Sequence, residues 1–121
     1  MDLRITSKGD RKIVEGPPGM PLLQSPDDIV EVIGACFEHR TGAVLLYAEN
    51  MPDGFFDLSS GEAGAVLQKL RNYHIRLAIV ADMGALRQSS KFPEMVLEES
   101  KAGDFRMFED RGLAEGWLVG E

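Results

Sequence analysis

Ala43-Val44-Leu45-Leu46-Tyr47-Ala48 is apolar along its whole length, and so is Leu77-Ala78-Ile79-Val80-Ala81. Neither run alternates between apolar and polar residues. A strand with one wet face alternates with period two, so each run reads as a strand covered on both faces, as in a parallel sheet flanked by helices. Between them, from about Glu62 to Tyr73, Ala63, Val66, Leu67 and Leu70 recur at helical spacing. Strand, helix, strand in that order makes a parallel pair joined by a right-handed crossover.

The same pattern extends in both directions. Upstream, Ser25-Pro26-Asp27-Asp28 is a helix start, with a capping serine, a proline suited to the first position and two acids at the positive end of the helix dipole. Ile29, Ile33, Cys36 and Phe37 follow as its buried stripe, flanked by Val30 and Val32, and Gly42 ends the element. Further upstream, Leu3 to Thr6 and Arg11 to Glu15 flank the turn Ser7-Lys8-Gly9-Asp10 and read as an N-terminal β-hairpin. Gly16-Pro17-Pro18-Gly19, with Pro21, is a loop. Downstream, a helix is expected after Ser90, turning Phe92, Met95 and Val96 inward. Phe105 to Phe108 is a short strand with a charge inside it, suited to an edge. Asp110 then caps a last helix that buries Leu113, Ala114, Trp117 and Leu118. The expected fold is α/β: one domain over residues 1–121, with a mixed, largely parallel sheet of about five strands, an N-terminal hairpin and flanking helices.

Composition narrows the function. The 121 residues carry 20 acidic and 13 basic side chains, a formal net charge of −7. That field repels nucleic acid and anionic membrane surfaces, so neither is expected as a partner. No apolar run approaches the roughly 20 residues that span a bilayer, and Met1-Asp2-Leu3-Arg4 does not open a signal peptide. The expected location is the cytoplasm. One cysteine, Cys36, makes no internal disulfide, and with His39 and His74 it gives too few soft ligands for structural zinc. Cys36 lies in the helical stripe and reads as a buried, inert thiol. His39 falls near the end of that helix and His74 in an exposed turn. Nucleophile-elbow, Walker-type and dinucleotide glycine patterns do not occur, which weakens hydrolase, nucleotidase and dehydrogenase readings. No cofactor and no metal is expected.

Ligands of open parallel sheets gather at the carboxyl ends of the strands. Those ends carry Glu49 and Asp82, and the segment from Glu49 to Gly61 adds Asp53 and Asp57. Such carboxylates can hold a hard cation, but acids at strand ends more often form turns and caps. Ser59 and Glu62 stand at capping-box spacing. Met51, Phe55, Phe56 and Leu58 are unusual in a loop. Such side chains either plug the top of the core or present a partner-binding patch, and at least one phenylalanine is expected in the core.

Phe55-Phe56-Asp57-Leu58, Gly61, Ala63-Gly64, Leu67-Gln68-Lys69, Asn72-Tyr73 and Leu77-Ala78-Ile79-Val80 together resemble the bacterial domain-of-unknown-function family 4180. The resemblance continues through Glu99-Ser100 and Ala114-x-x-Trp117-Leu118 and implies a bacterial cytosolic protein with no assigned activity. More distantly, the layout resembles the STAS fold of anti-sigma-factor antagonists. Asp57-Leu58-Ser59-Ser60-Gly61 is similar to that family's Asp-Ser-Ser-Gly, with Leu58 inserted. This resemblance implies Ser60 as a phosphorylated position. The leading expectation is therefore a non-enzymatic regulatory or protein-interaction domain of STAS-like type. It would meet its partner, another protein or a second copy of the chain, through Phe55, Phe56, Asp57, Ser60 and Gly61 and the second helix that follows them. The alternative is a small-molecule or divalent-cation-binding domain, or a weak enzyme, built on Glu49, Asp57 and Asp82.

Overall fold

The computed structural model of the chain describes residues 2–55, 61–82 and 104–119. Strands β1 (Arg4–Lys8) and β2 (Arg11–Glu15) form the hairpin. A 3-10 turn (Pro26–Asp28) leads into helix α1 (Ile29–Glu38), followed by β3 (Ala43–Tyr47). Helix α2 (Glu62–Asn72), β4 (Arg76–Val80), β5 (Phe105–Phe108) and helix α3 (Arg111–Leu118) complete the described elements. The helix expected after Ser90 lies outside the described residues.

The strands stand in sequence order, β1-β2-β3-β4-β5. The β1/β2 pair is antiparallel and every other pair is parallel. This is the mixed sheet the two apolar runs predict, with β5 at an edge. Side chains on successive strand residues point to opposite faces, and that alternation sorts the core into two layers. Val14, Val44, Leu46, Leu77, Ile79, Phe105 and Met107 pack with the stripes of α1 and α2. Ile13, Ala43, Leu45 and Ala78 pack with Ala114 and Leu118 of α3 on the other face.

Two stripe residues turn out exposed. Phe37 is 63% and Leu113 64% accessible. At about 100° per residue, Phe37 lies roughly a quarter turn from the centre of the Ile29, Val32, Ile33 and Cys36 stripe, and Leu113 lies a similar step from Ala114. Flank positions of a helix reach the core only where a neighbouring element covers them. Trp117 is half-buried rather than enclosed: its ring lies under the Arg76 guanidinium at 4.1 Å and beside Phe108 at 5.8 Å. Cys36 is buried as expected, and burial pushes its thiol up to about 11.

Both long helices stop the same way. The Thr41 N–H donates to the Cys36 carbonyl and the Arg40 N–H to that of Phe37; Ile75 donates to Leu70 and His74 to Arg71. These are Schellman caps, which require a left-handed residue just past the helix. Glycine is the usual occupant. Here the positions hold Arg40 (φ 54°) and His74 (φ 57°), each at a cost on the order of 1 kcal/mol. The two corners touch: Arg76 N–H donates to the Gly42 carbonyl at 2.7 Å, and a Cβ on Gly42 would stand 3.2 Å from the His74 carbonyl oxygen.

Candidate functional site

The parallel strands deliver their carboxyl ends to one edge of the sheet, where β3 ends at Tyr47, β4 at Val80 and β5 at Phe108. There Glu49 and Asp82 line a shallow cleft of about 430 Å³ together with Tyr47, Val80, Ala81 and Glu109. Of the acids the sequence singles out, Glu49 and Asp82 line this cleft, and Glu109 is not among those singled out. Asp53 does not line this cleft, and Asp57 lies outside the described residues. Among the described residues no group of three or more His, Cys, Asp or Glu side chains is close enough to hold a metal ion.

Beside the cleft sits a charged network that sequence patterning does not reveal. Glu15, the last residue of β2, is only 8% exposed. Its carboxylate accepts from Thr6 Oγ1 (2.9 Å), Tyr47 Oη (3.0 Å) and both arms of Arg111, Nε at 3.0 Å and Nη2 at 2.6 Å. Arg111 also donates through Nη1 to Glu115 at 2.9 Å, and Glu115 receives Lys8 at 2.7 Å. Burial alone would raise the Glu15 carboxyl, but the hydrogen bonds from Arg111, Thr6 and Tyr47 outweigh it and hold the group below its ordinary value. Burial and the neighbouring Glu15 carboxylate push the Tyr47 hydroxyl upward. Hydrogen bonding from Lys8, with Arg111, lowers Glu115. Every carboxylate oxygen in this cluster is engaged, so the network fastens α3 to the hairpin and offers no free base.

The loop after β3 is fixed by Asn50, which is fully buried. Its Oδ1 accepts from the Tyr47 N–H, and its Nδ2 donates to the carbonyls of Pro17 (2.7 Å) and Met20 (2.8 Å). Gly16 makes this latch possible, since a Cβ there would collide with Asn50 Oδ1. The sequence marks Gly16 to Gly19 as a loop, and prolines supply no N–H of their own, but nothing in it points to Asn50 as the donor.

The aromatic loop divides. Phe55 and Met51 fold into the α1/α2 core, and Phe55 is completely buried. The core-plug expectation holds for Phe55, and the same burial corrects its assignment to a partner-binding surface, because no atom of it is open to contact. Phe56, Asp57 and Ser60 lie outside the described residues. Gly61 is exposed and left-handed (φ 76°), and it is the N-cap of α2, with Glu62 the first helical residue. Ser59, expected as cap, also lies outside the described residues.

Fold and site together define a single-sheet α/β protein, wound through neighbouring strands, with a network of fully paired carboxylates near its carboxyl edge. The profile of the family described as Domain of unknown function (DUF4180) matches residues 8–118. The chain belongs to that family. Comparison with curated proteins finds no match, and comparison with solved structures finds none. Among the described residues no helix is long and apolar enough to cross a membrane.

Proposed function

We propose that this chain is a non-enzymatic regulatory or protein-interaction domain of STAS-like type, acting in the cytoplasm, which holds its partner on the outer face of α1 and α2. The observation that carries the reading is an exposed aromatic pair bridging the two helices. Phe37 of α1 and Tyr73, which follows α2, meet edge to face at 5.4 Å while 63% and 52% accessible. Val30, two turns before Phe37 on the same side of α1, is 57% accessible. Aromatic groups are the usual anchors of protein interfaces, and grouped exposed apolar side chains mark contact surfaces. Exposed Glu31 and Glu38 lie alongside on α1, so the fitting partner presents apolar side chains rimmed by Lys or Arg. This keeps the second helix of the expected surface and replaces the buried Phe55 with the aromatic pair that joins the end of α2 to α1.

The test is a photo-cross-linker placed at position 37 or 73 in the native cytosol, with position 10 on the hairpin turn as control. One protein joined at 37 and 73 but not at 10, and lost with Phe37→Ser/Tyr73→Ser at unchanged melting temperature, supports the reading. Equal labelling from all three positions sinks it. Dimers of the chain joined at 37 and 73 identify the partner as a second copy.

A second reading rests on the carboxyl-edge cleft, which Glu49, Asp82 and Glu109 line without forming a metal-binding group by themselves. It makes the chain a small-molecule or divalent-cation-binding domain, with Asp57 the further ligand it would need. Mg²⁺ or Mn²⁺ raising the melting temperature of the wild type but not of Asp82→Asn would favour it.

A further inference from the structure

The opposite edge of the sheet has the opposite charge. Four cationic side chains, Arg11, Lys12, Arg40 and Arg76, line one cleft of about 570 Å³ with His39 and His74. They arrive from separate parts of the chain: the start of β2, the corner after α1 and the start of β4, with His74 from the corner after α2. Asp10 is the one acidic side chain in the lining. In a chain of net charge −7 this gathering runs against the overall composition. Among the described residues Arg11, Lys12 and Arg40 form no ion pair, in contrast to Lys8, Lys69, Arg71 and Arg111. Arg76 is held in place by stacking on Trp117. The C-termini of three helices end near this edge, each equivalent to about half a negative charge. Together with Asp10 they offset only part of four full positive charges.

Backbone geometry adds an independent observation. The two left-handed non-glycine residues among the described residues, Arg40 and His74, both line this cleft. A Schellman corner ordinarily uses glycine, and two adjoining corners both depart from it in favour of side chains that donate hydrogen bonds to anions. Strain kept at paired positions around one concavity points to a use for the side chains it carries.

We propose that the amino-edge cleft binds a compact phosphorylated small molecule with at least two phosphoryl groups, seated between Arg11, Lys12, Arg40 and Arg76. Arginine forks match phosphate oxygens bidentately and lysine adds a point charge. The volume is that of a small-molecule site, and its cationic lining comes from three separate places in the fold rather than from one run along a strand or helix. That suits a pyrophosphate-bearing molecule better than an extended polyanion. The cleft adjoins the aromatic face proposed for the partner, since His39, Arg40 and His74 closely follow Phe37 and Tyr73, but the two share no residue, so each reading is tested by its own variants.

The experiment is isothermal titration of the full chain in low salt with inorganic pyrophosphate, a nucleoside diphosphate, orthophosphate and a short single-stranded DNA. Pyrophosphate and the nucleoside diphosphate are expected to bind one per chain at submillimolar Kd, at least tenfold tighter than orthophosphate. Tighter binding of the nucleoside diphosphate than of pyrophosphate would assign the ligand as an ester rather than the free anion. Arg40→Gly removes one cation and relieves the left-handed strain, so it should weaken pyrophosphate at least fivefold with a melting temperature equal or higher. Arg11→Gln/Arg40→Gly should weaken it at least twentyfold, and Lys69→Gln, away from the cleft, should leave it unchanged. No saturable binding of pyrophosphate, the same affinity in the double variant, or DNA binding tighter than either diphosphate would overturn the proposal.

Discussion

Single residues decide where this chain is rigid, and the most consequential ones are polar. Asn50 satisfies three backbone groups from inside the protein. Asn50→Ala would leave two carbonyls and an N–H without their partner, the Pro17 carbonyl among them buried, and we expect a loss of about 2–3 kcal/mol in urea unfolding, with Gly16→Ala similarly damaging by collision. Asn50→Ser should not rescue, since one short hydroxyl does not reach all three groups. Cys36 presents the opposite case. Its place in an apolar stripe is local information, so its burial was legible from spacing alone. With the thiol buried and raised to about 11, a thiol reagent should label it slowly in the native protein and quickly in denaturant. Similar rates in both states would mean that α1 opens readily. Glu15 and Asn50 escaped the sequence because their partners lie 96 and 33 positions away, at Arg111 and Pro17, and no periodicity encodes such distances.

At the scale of the element, hydrophobic spacing located the helices well and their flanks poorly. The centre of each stripe faces the sheet by geometry, whereas Phe37 and Leu113 depended on whether another element would cover them. Strand identity was legible because β3 and β4 bury both faces; their register was not, and comes from the structure. Helix α3 has only eight residues, too few to be stable alone, so its docking depends on Ala114, Leu118, half-buried Trp117 and the Arg111–Glu15 fork. Arg111→Ala leaves a buried carboxylate without its counter-ion. We expect a loss of about 2–3 kcal/mol at pH 7, below the full cost of a wholly buried pair because Arg111 is partly exposed. Trp117→Ala should lose about 2–3 kcal/mol, short of the value for an enclosed tryptophan, since the ring is only half-buried. A loss above 4 kcal/mol would mean that Trp117 supports more of the α3 interface than its contacts with Arg76 and Phe108 imply.

For the molecule as a whole, the alternation of apolar strands and amphipathic helices made the sheet legible, but not the division of charge between its two edges. Cations from Arg11 to Arg76 gather where the parallel strands begin, and Glu49, Asp82 and Glu109 gather where they end. Only the strand order brings each set together. The junction of α3 and the hairpin responds to acid through Glu15 and Glu115. Both carboxyls are held below their ordinary value in the fold. The folded state therefore binds their protons less readily than the unfolded chain, and they favour folding at any pH above the unfolded carboxyl range near 4.5. That contribution fades as pH falls through the lowered values, leaving an unbalanced Arg111 and Lys8 at the junction of α3 and the hairpin. Urea midpoints measured from pH 7 down to pH 3 should decline below about pH 4.5 in the wild type. In Glu15→Gln the midpoint should start lower at pH 7 and decline less steeply, because the glutamine still accepts from Arg111 but has no proton to gain. Parallel curves for the two proteins would mean that acid sensitivity arises elsewhere and that the fork to Arg111 fixes geometry without coupling to protonation.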